Sequence, residues 1–438
     1  MERVLSLSIA VVVSLSIVAC GSDRPVTGEE AGLLAPEAAA ASAQAAAAAR
    51  NVPNGPKLTV MTRNLYLGAD IVTLTTAETG LEAVAAASQL WVDVHLTDFP
   101  ARARVLADEV FWARPEVLGL QEVTLYRTGD PLACGEAPPP SPPVATDPEL
   151  DFLAILQEEL RHRGLRYEVA AQVTTMDVEL CILDALRGGE PRDLRYTDRD
   201  VLLVRKDVHW RNPTLPENQP IEAFIPAELP PGEGDSNGGV YAVAVHVGDE
   251  ANSIAPATAF FEVPKDSGNL IYSWRGWTAV EVARGNRWVR VFETHVEDRL
   301  DALTELGLPT WYFQALQDPQ LLAIVGASLE MAPMPTIVLG DFNVYKQPLG
   351  DLTMYELLTG QPLGLVDAWT ALRPGDDGFT WGFDPLLTSG ELLTTLDLVL
   401  ATEGLHPIST YLVGTRDLTP GGLHPSDHAG IVTTFSIR

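Results

Sequence analysis

The chain has 438 residues, of which 46% are apolar, and it carries a formal charge of −30 with only four lysines. This length and composition are typical of a globular protein with one large domain or two medium ones. The strongly negative charge argues against non-specific binding of nucleic acid through a basic face, but it is compatible with an enzyme that meets phosphate through bound cations.

The N-terminus predicts an export signal. Val4–Ala19 is a run of apolar and small residues that is too short for a comfortable membrane-spanning helix but suits the core of a signal peptide. Because the run ends at Cys20, residues 1–20 are similar to a bacterial lipoprotein signal in which Cys20 becomes the acylated first residue. We expect an exported lipoprotein of the cell envelope, in the outer membrane or facing the periplasm, with plain secretion as the alternative.

A tether and one folded domain follow the signal. Residues 21–56 are rich in alanine, proline and glycine, which is typical of a low-complexity tether. The folded domain is predicted over 57–438. Since exported proteins form disulfides, Cys134 and Cys181 are a possible pair, with two unpaired buried thiols as the alternative.

In the first half of the domain, apolar patterns predict strands that alternate with helices. The first strand ends at Asn64, and a helical pattern over 81–113 is broken at Pro100. Val117–Glu122 reads as a short strand that delivers Glu122. The remaining assignments are a proline-rich insertion over 126–151, a helix over 152–163, and strands over 167–174 and 199–205.

The second half begins with an insertion-rich stretch over 206–276 and then repeats the pattern. A strand over 288–294 leads to His295, and a helix is predicted over 316–331. The stretch Thr336–Val344 is an apolar run into Gly340, followed by Asp341 and Asn343. If the chain stays extended there, these two side chains point the same way. A strand over 395–400 holds Asp397, and the final strand, over 431–437, follows Asp427 and His428.

Polar side chains therefore close several apolar strands. Asp397 lies within such a strand, so its carboxylate should be buried and needs a partner, for which a histidine is the natural choice. With these residues the chain resembles the endonuclease/exonuclease/phosphatase superfamily, which includes DNase I-like nucleases, abasic-site endonucleases, bacterial neutral sphingomyelinases and inositol polyphosphate phosphatases. Six short motifs in family order carry the resemblance: Arg63-Asn64, Leu120-Gln-Glu122, Glu293-Thr-His295, Gly340-Asp-Phe-Asn343, Leu396-Asp-Leu-Val399 and Ser426-Asp-His428.

The resemblance implies an α/β fold, a four-layer sandwich of two mainly antiparallel or mixed β-sheets flanked by helices. It also implies a site where strand ends of both sheets meet. Glu122 is expected to be the main ligand of Mg²⁺ or Mn²⁺, with Asn64 close by and Asp427 as a further metal group.

The resemblance also assigns roles in catalysis. His428 is expected to act as general base or phosphate contact and Asp397 to orient it, while Asp341 positions or deprotonates the attacking water. Asn343 and His295 are expected to donate to phosphoryl oxygens. Trp381 belongs to a Phe-Thr-Trp pattern that the family shows near its substrate face, and core packing is the alternative for it.

The function expected from these features is metal-dependent hydrolysis of a phosphodiester, on a phospholipid head group or a similar small diester. An exported DNase I-like nuclease that cleaves nucleic acid is the alternative, and a lipoprotein binding module without catalysis is a further one. The expected partners are the phosphodiester substrate and, through the lipid anchor, a membrane. The protein is expected to act as a monomer.

Overall fold

A computed structural model describes residues 55–438 except 133, 135–142, 216–235, 242–243, 247–253, 257–258, 265–269, 300–311 and 345–353. The predicted signal, Cys20 and nearly all of the tether lie outside the described residues. So does part of the stretch over 206–276. None of the described helices is long and apolar enough to cross a membrane.

The helices begin and end where the sequence supplies caps. The Thr79 side chain accepts from the amide of Glu82, whose own side chain reaches back, so the two form a capping box at the first helix. Asp98 caps the second helix, with Pro100 in its first turn. The described α-helices are α1 (Gly80–Leu96), α2 (Phe99–Ala113), α3 (Phe152–His162), α4 (Tyr312–Met331), α5 (Met354–Thr359) and α6 (Ala368–Leu372).

The strands fall into two halves along the chain. Those of the first half are β1 (Lys57–Asn64), β2 (Val117–Gln121), β3 (Leu125–Gly129), β4 (Asp147–Asp151), β5 (Tyr167–Asp184), β6 (Glu190–Arg205) and β7 (Trp210–Arg211). Those of the second half are β8 (Gly238–Val240), β9 (Ala244–His246), β10 (Ile254–Pro256), β11 (Ala259–Glu262), β12 (Leu270–Ser273), β13 (Gly276–Arg284), β14 (Arg287–His295), β15 (Thr336–Asp341), β16 (Val366–Asp367), β17 (Trp381–Phe383), β18 (Gly390–Thr394), β19 (Asp397–Ala401), β20 (Leu405–Val413) and β21 (Gly430–Ile437).

Two large mixed sheets carry most of these strands. The first has the order β20-β21-β1-β2-β6-β3-β4, with β5 also paired to β6, and the second has the order β16-β19-β15-β14-β13-β7, with β8 paired to β13. In each large sheet one central pair is parallel, β1 with β2 and β14 with β15, and the other pairs are antiparallel. The α/β class and the mixed sheets agree with the fold expected from the sequence.

Alternation along the central strands builds the layers. Val60 faces the second sheet, whereas its neighbour Met61 faces the helices α1 to α3. In the second sheet, Val291 faces the first sheet and Phe292 faces α4. Because successive side chains of a strand point to opposite faces, each sheet buries both sides and the result is a four-layer sandwich.

Three sequence assignments differ from the structure. The loop predicted over 126–151 contains most of β3 and all of β4, and the strand predicted over 167–174 continues to Asp184. It forms a long hairpin with β6, in which Arg195 pairs with Asp177 across the strands. The strand β20 was not predicted because Pro407 interrupts its pattern, and a bulge at that proline keeps it in the sheet.

A disulfide joins Cys134 and Cys181, so the structure contains the bridge that was considered from the sequence. It links the segment after β3 to the outer part of the β5–β6 hairpin. The bridge adds a covalent link to the hydrogen bonds that the amides of Val144 and Ala145 donate to Glu179 of the same hairpin.

Candidate active site

Strand ends of both sheets meet at one edge of the sandwich. In the first sheet Asn64 is paired with Gln121. Glu122, the residue after Gln121, therefore lies beside Asn64 at the C-terminal end of these two strands. In the second sheet His295 is paired with Asp341, and Asp341 is paired with Asp397 on the other side. Two parallel strand pairs therefore bring their C-terminal polar residues to a shared pocket of about 460 Å³.

Gly340 is required for the close approach of these strands. Its φ is +147°, and a Cβ at this position would lie 1.9 Å from the carbonyl oxygen of Thr294. The strand ends at Asp341, and Asn343 has a φ of +50°. The chain is therefore not extended as far as Asn343, which was the condition considered from the sequence, yet both side chains line the pocket.

His428 and Asp397 form a buried hydrogen-bonded pair. Nδ1 of His428 lies 2.8 Å from Oδ2 of Asp397, and both side chains are almost fully shielded from solvent. Burial opposes a charge on the imidazole, but the carboxylates of Asp397, Asp427 and Asp341 outweigh it and raise the pKa of His428 to about 10. The pairing that the sequence predicted for Asp397 is present.

Arg63 explains why an arginine precedes Asn64 in the first motif. Its guanidinium is buried in an ion pair with Glu109 at 3.0 Å, and it donates to the carbonyl oxygen of His428. This contact fixes the backbone of His428 against β1. Arg63 is therefore a positioning residue that acts through the His428 main chain.

Asp341 stands between the two histidines. Its Oδ2 lies 3.7 Å from Nε2 of His428 and 3.6 Å from Nε2 of His295, and its Oδ1 accepts from the amide of Asn343. Burial raises the pKa of Asp341 to about 7, with His428 opposing the rise and Asp397 adding to it. A carboxyl group with this pKa can gain and lose a proton near neutral pH.

Asn64 connects the carboxylates of the two sheets. Its Nδ2 donates to Glu122 at 3.0 Å and to Asp341 at 3.1 Å, while its Oδ1 accepts from the amide of Tyr66. Glu122 has a φ of +54° and also accepts from the amide of Leu67. The amide of Asn64 therefore orients Glu122, and Glu122 itself lines the pocket.

The remaining predicted residues border the same pocket. Asp427 accepts from the indole N–H of Trp381 at 3.2 Å, and Trp381 is 38% exposed at the rim, so this tryptophan does not lie in the core. Burial raises the pKa of Asp427 to about 6, with Glu122 adding to the rise and His428 opposing it. Asn343 donates one amide hydrogen to the carbonyl oxygen of Val296, which leaves its second hydrogen for a ligand.

Arg275 is the main site residue that the sequence did not reveal. Its Nη1 lies 3.0 Å from Nε2 and 3.2 Å from Nδ1 of His295, and its Nη2 donates to Glu297. Burial, followed by Arg275 and His428, lowers the pKa of His295 well below its usual range. Pairing of β13 with β14 sets Gly276 opposite His295, so a register assigned to this hairpin would have located Arg275.

Two aspartates of β6 were also missed. Asp198 and Asp200 are buried, and Asp200 lies 3.6 Å from Nδ1 of His295. Burial and the neighbouring Glu122 raise the pKa of Asp198 to about 7, and burial with the neighbouring Glu293 raises that of Asp200. Their strand runs through the centre of the first sheet, where no turn or motif marks them in the sequence.

The pocket fits a divalent cation. Glu122, Asp427 and Asp198 line it together, and their mutual repulsion contributes to the raised pKa values of the two aspartates. Oδ1 of Asp198 is buried and has no hydrogen-bond partner among the described residues. Carboxylate oxygens in this number suit Mg²⁺ or Mn²⁺. A second group with metal-ligand spacing consists of Asp341, Asp397 and His428, whose ligand atoms lie within 4.8 Å of one another.

The layers and the pocket define an α/β sandwich with an acid–histidine site of the kind that hydrolyses phosphoesters. A sequence model of the Endonuclease/Exonuclease/phosphatase family matches residues 92–428, and the chain belongs to this family. Hydrolysis of phosphoester bonds is the reaction class that this membership supports. No curated protein sequence matches the chain.

Solved structures similar to the chain include several that are distant from it in sequence. The catalytic domain of human Nocturnin with bound sulfate is 16% identical, with 88% of this chain and 96% of that one covered and a TM-score of 0.45. A mannosyl-6-phosphatase of Bacteroides thetaiotaomicron is 14% identical, with 86% and 98% covered and a TM-score of 0.42. TDP2 of D. rerio in complex with a single-strand DNA product is 15% identical, with 86% and 98% covered and a TM-score of 0.41.

Proposed function

We propose that the protein is a divalent-cation-dependent phosphodiesterase. The observation that carries this proposal is the buried pair of His428 and Asp397, with the carboxylate of Asp341 3.7 Å from the free ring nitrogen of His428. His428 and Asp341 line one pocket together with Glu122, so acid, base and cation-binding groups meet where one phosphate fits.

In this proposal His428 and Asp341 divide the proton transfers. His428, held charged by Asp397, donates to a phosphoryl or leaving oxygen, and Asp341 accepts the proton of the attacking water. Arg275 and the free amide hydrogen of Asn343 stabilise the negative charge that develops on the phosphoryl group. The sequence left the identity of the base open, and the position of Asp341 between the histidines favours it.

Glu122 and Asp427 are the residues that we propose as cation ligands, with Asn64 orienting Glu122. A bound Mg²⁺ or Mn²⁺ supplies charge neutralisation at the phosphoryl oxygens and lowers the pKa of water. Oxygen donors and a pocket open to solvent suit these hard cations, which keep several of their waters.

The charge of the pocket favours a diester over a monoester. The pocket is lined by four of the site's carboxylates, those of Glu122, Asp198, Asp341 and Asp427. Besides His295 and His428, its basic residue in the part of the chain that the structure describes is Arg275. A phosphomonoester carries up to two negative charges near neutral pH, whereas a diester carries one. The diester therefore meets less repulsion from the surrounding carboxylates.

The test offers the purified protein bis-p-nitrophenyl phosphate, p-nitrophenyl phosphate, plasmid DNA and sphingomyelin vesicles, with Mg²⁺ or with EDTA. We expect Mg²⁺-dependent turnover of the small diester that exceeds turnover of the monoester. Glu122→Ala and His428→Ala should each lower kcat/KM by at least about 100-fold. No turnover of any substrate, or turnover that survives both substitutions, would refute the proposal.

We further propose that Cys20 is acylated and anchors the protein in the cell envelope. The sequence around Cys20 supports this location, and the disulfide between Cys134 and Cys181 suits an oxidising compartment. Cys20→Ser should move the protein from the membrane fraction to the soluble fraction. Cys134→Ser is the matched control and should leave the membrane association unchanged.

A further inference from the structure

A second cavity adjoins the catalytic pocket and differs from it in chemistry. We call it the apolar annex; it has a volume of about 210 Å³, and its walls include Ile71, Leu74, Leu90, Trp91, Val178 and Leu180. The annex and the catalytic pocket share a border that includes Ile71, Tyr196 and Arg275. The two cavities are therefore neighbours, and Arg275 lines both of them.

Three elements build the annex from apolar side chains. The short 3-10 helix Ile71–Thr76 forms one wall. Asp70 caps this helix, because its side chain accepts from the amide of Val72. Helix α1 contributes Ala87 and Leu90, and β5 contributes Met176 on the opposite side. Each of these side chains keeps an apolar surface toward the open space instead of closing the gap, although α1 and β5 pack against one another elsewhere.

The charged groups of the annex lie together, around the arginine that it shares with the catalytic pocket. Arg275 stands there, with Glu297 and Asp298 beside it. Deeper inside, the indole nitrogen of Trp91 is buried and has no hydrogen-bond partner among the described residues. The inner hydroxyls of Thr75 and Tyr126 already donate to backbone carbonyl oxygens, so the indole N–H is the free donor among these inner groups. A charged occupant, or one with many polar groups, would therefore lose its hydration in this space and regain little of it as hydrogen bonds. The arrangement therefore suits a ligand whose charged group lies at Arg275 and whose apolar group lies in the annex.

We propose that the annex receives an aliphatic substituent of the phosphodiester while the phosphate sits in the catalytic pocket. This inference rests on the proposed function and names its substrate class: a phosphodiester with one apolar chain. A dry cavity of about 150 Å³ holds benzene, so the annex has room for about eight carbons. A nucleotide or sugar substituent, with many hydrogen-bonding groups, does not match these walls.

The first test measures kcat/KM for alkyl p-nitrophenyl phosphates with methyl, butyl, octyl and dodecyl chains. We expect a rise of up to about fourfold for each methylene that enters the annex, and little change from octyl to dodecyl. Equal values for the methyl and octyl esters would overturn the inference.

Two substitutions locate the effect. Ala87→Leu fills part of the annex and should bring the plateau to a shorter chain, whereas Ala85→Leu, on the exposed side of α1, should not. Val72→Asp sets a charge at a residue that is 46% exposed, so folding is not at risk, and it should flatten the dependence on chain length. Thr73→Asp, in the same turn but outside the annex, is its control. The same loss in the controls as in the variants would contradict the assignment.

A binding measurement separates the annex from the catalytic proposal. Calorimetry compares octyl and methyl methylphosphonate, which are not hydrolysed, on the wild-type protein. At least tenfold tighter binding of the octyl compound supports the annex, whether or not any ester is turned over. Such binding without turnover of any ester would refute the proposed function and leave the annex supported. Turnover with equal binding of the two compounds refutes the annex alone.

A final comparison shows whether the aliphatic substituent belongs to a membrane lipid or to a soluble ester. The octyl ester below its micelle concentration is offered beside vesicles of sphingomyelin or phosphatidylcholine. Vesicle turnover that Ala87→Leu reduces identifies a membrane lipid as the substrate. Turnover restricted to the soluble ester identifies a free amphiphile.

Discussion

Replacing Asp397 by asparagine removes the charge that faces His428 and keeps the shape of the side chain. The two groups are 2.8 Å apart and nearly fully buried. Opposite unit charges about 4 Å apart interact by about 4 kcal/mol at an effective dielectric constant of 20, which corresponds to about three pKa units. Because Asp341 and Asp427 remain beside the imidazole, we expect the pKa of His428 to fall by about two to three units from its raised value.

The assay has a spectroscopic and a kinetic part. Titration of the imidazole nitrogens by NMR in wild type and Asp397→Asn measures the pKa of His428 directly. In the kinetic part, the lost protonation should lower kcat/KM for bis-p-nitrophenyl phosphate by about two- to tenfold at pH 8, because a pKa of about 7 to 8 leaves a tenth to a half of the imidazole charged there. The fall should be smaller at pH 6, because the imidazole of the variant is still protonated there.

Asp318→Asn is the matched control, since Asp318 is equally buried but lies on α4 away from the pocket. It should leave the pKa of His428 and the kinetics unchanged. An unchanged pKa of His428 in Asp397→Asn, or an equal fall of activity at pH 6 and pH 8, would contradict this role of Asp397.

Three further predictions concern stability. Burial raises the pKa of Asp318. The wild type therefore loses stability as pH rises above about 4, because the buried side chain must either stay protonated or carry a charge without a counterion. The free energy of unfolding of Asp318→Asn should rise relative to wild type by about 1.4 kcal/mol per pH unit. Burial opposes ionisation of Glu281, but hydrogen bonds and the buried Arg290 outweigh it and lower the pKa of Glu281. The ionised side chain therefore stabilises the fold above pH 4.5, and this stabilisation is lost as pH falls. Glu281→Gln should lower the free energy of unfolding by about 3 kcal/mol near neutral pH. The disulfide closes a loop of 47 residues, so the double substitution of Cys134 and Cys181 by serine should cost up to about 4 kcal/mol.

Urea denaturation over a range of pH measures all three. A constant difference between Asp318→Asn and wild type from pH 4 to 8 would contradict the first. For the ion pair, Glu391→Gln at an exposed position is the control and should change stability by less than about 0.5 kcal/mol. For the disulfide, reduction of the wild type should reproduce the effect of the double substitution, and a reduced protein of unchanged midpoint would count against it.

The strand ends of the site could be predicted because local sequence encodes them. An apolar run followed by a polar residue identified the ends of β1, β2, β14 and β15, and hence Asn64, Glu122, His295 and Asp341. The partner of Asp397 was also predictable, since a carboxylate inside an apolar strand needs a compensating group. Family order then gave the fold class, which local patterns alone could not give.

The rest of the site depends on strand pairing, which a single sequence does not display. Arg275 reaches the pocket only through the register of β13 with β14. Asp198 reaches the pocket, and Asp200 reaches His295, through β6, whose long hairpin with β5 has no clear pattern in its outer half. The apolar annex arises where α1 and β5 leave a gap between them, and side chains that line a gap look like ordinary core residues in the sequence.

The placement of β1 between β2 and β21 has a consequence for how the protein reaches its active state. Thr59 and Thr434 contact one another although they are 375 positions apart, and Ser426 donates to the carbonyl oxygen of Asn64 across 362 positions. Contacts this distant in sequence slow folding, because the chain must close a long loop before they form. Arg63 likewise reaches the carbonyl oxygen of His428 only when the C-terminal segment has been made. We therefore expect a partly synthesised chain to lack the assembled site.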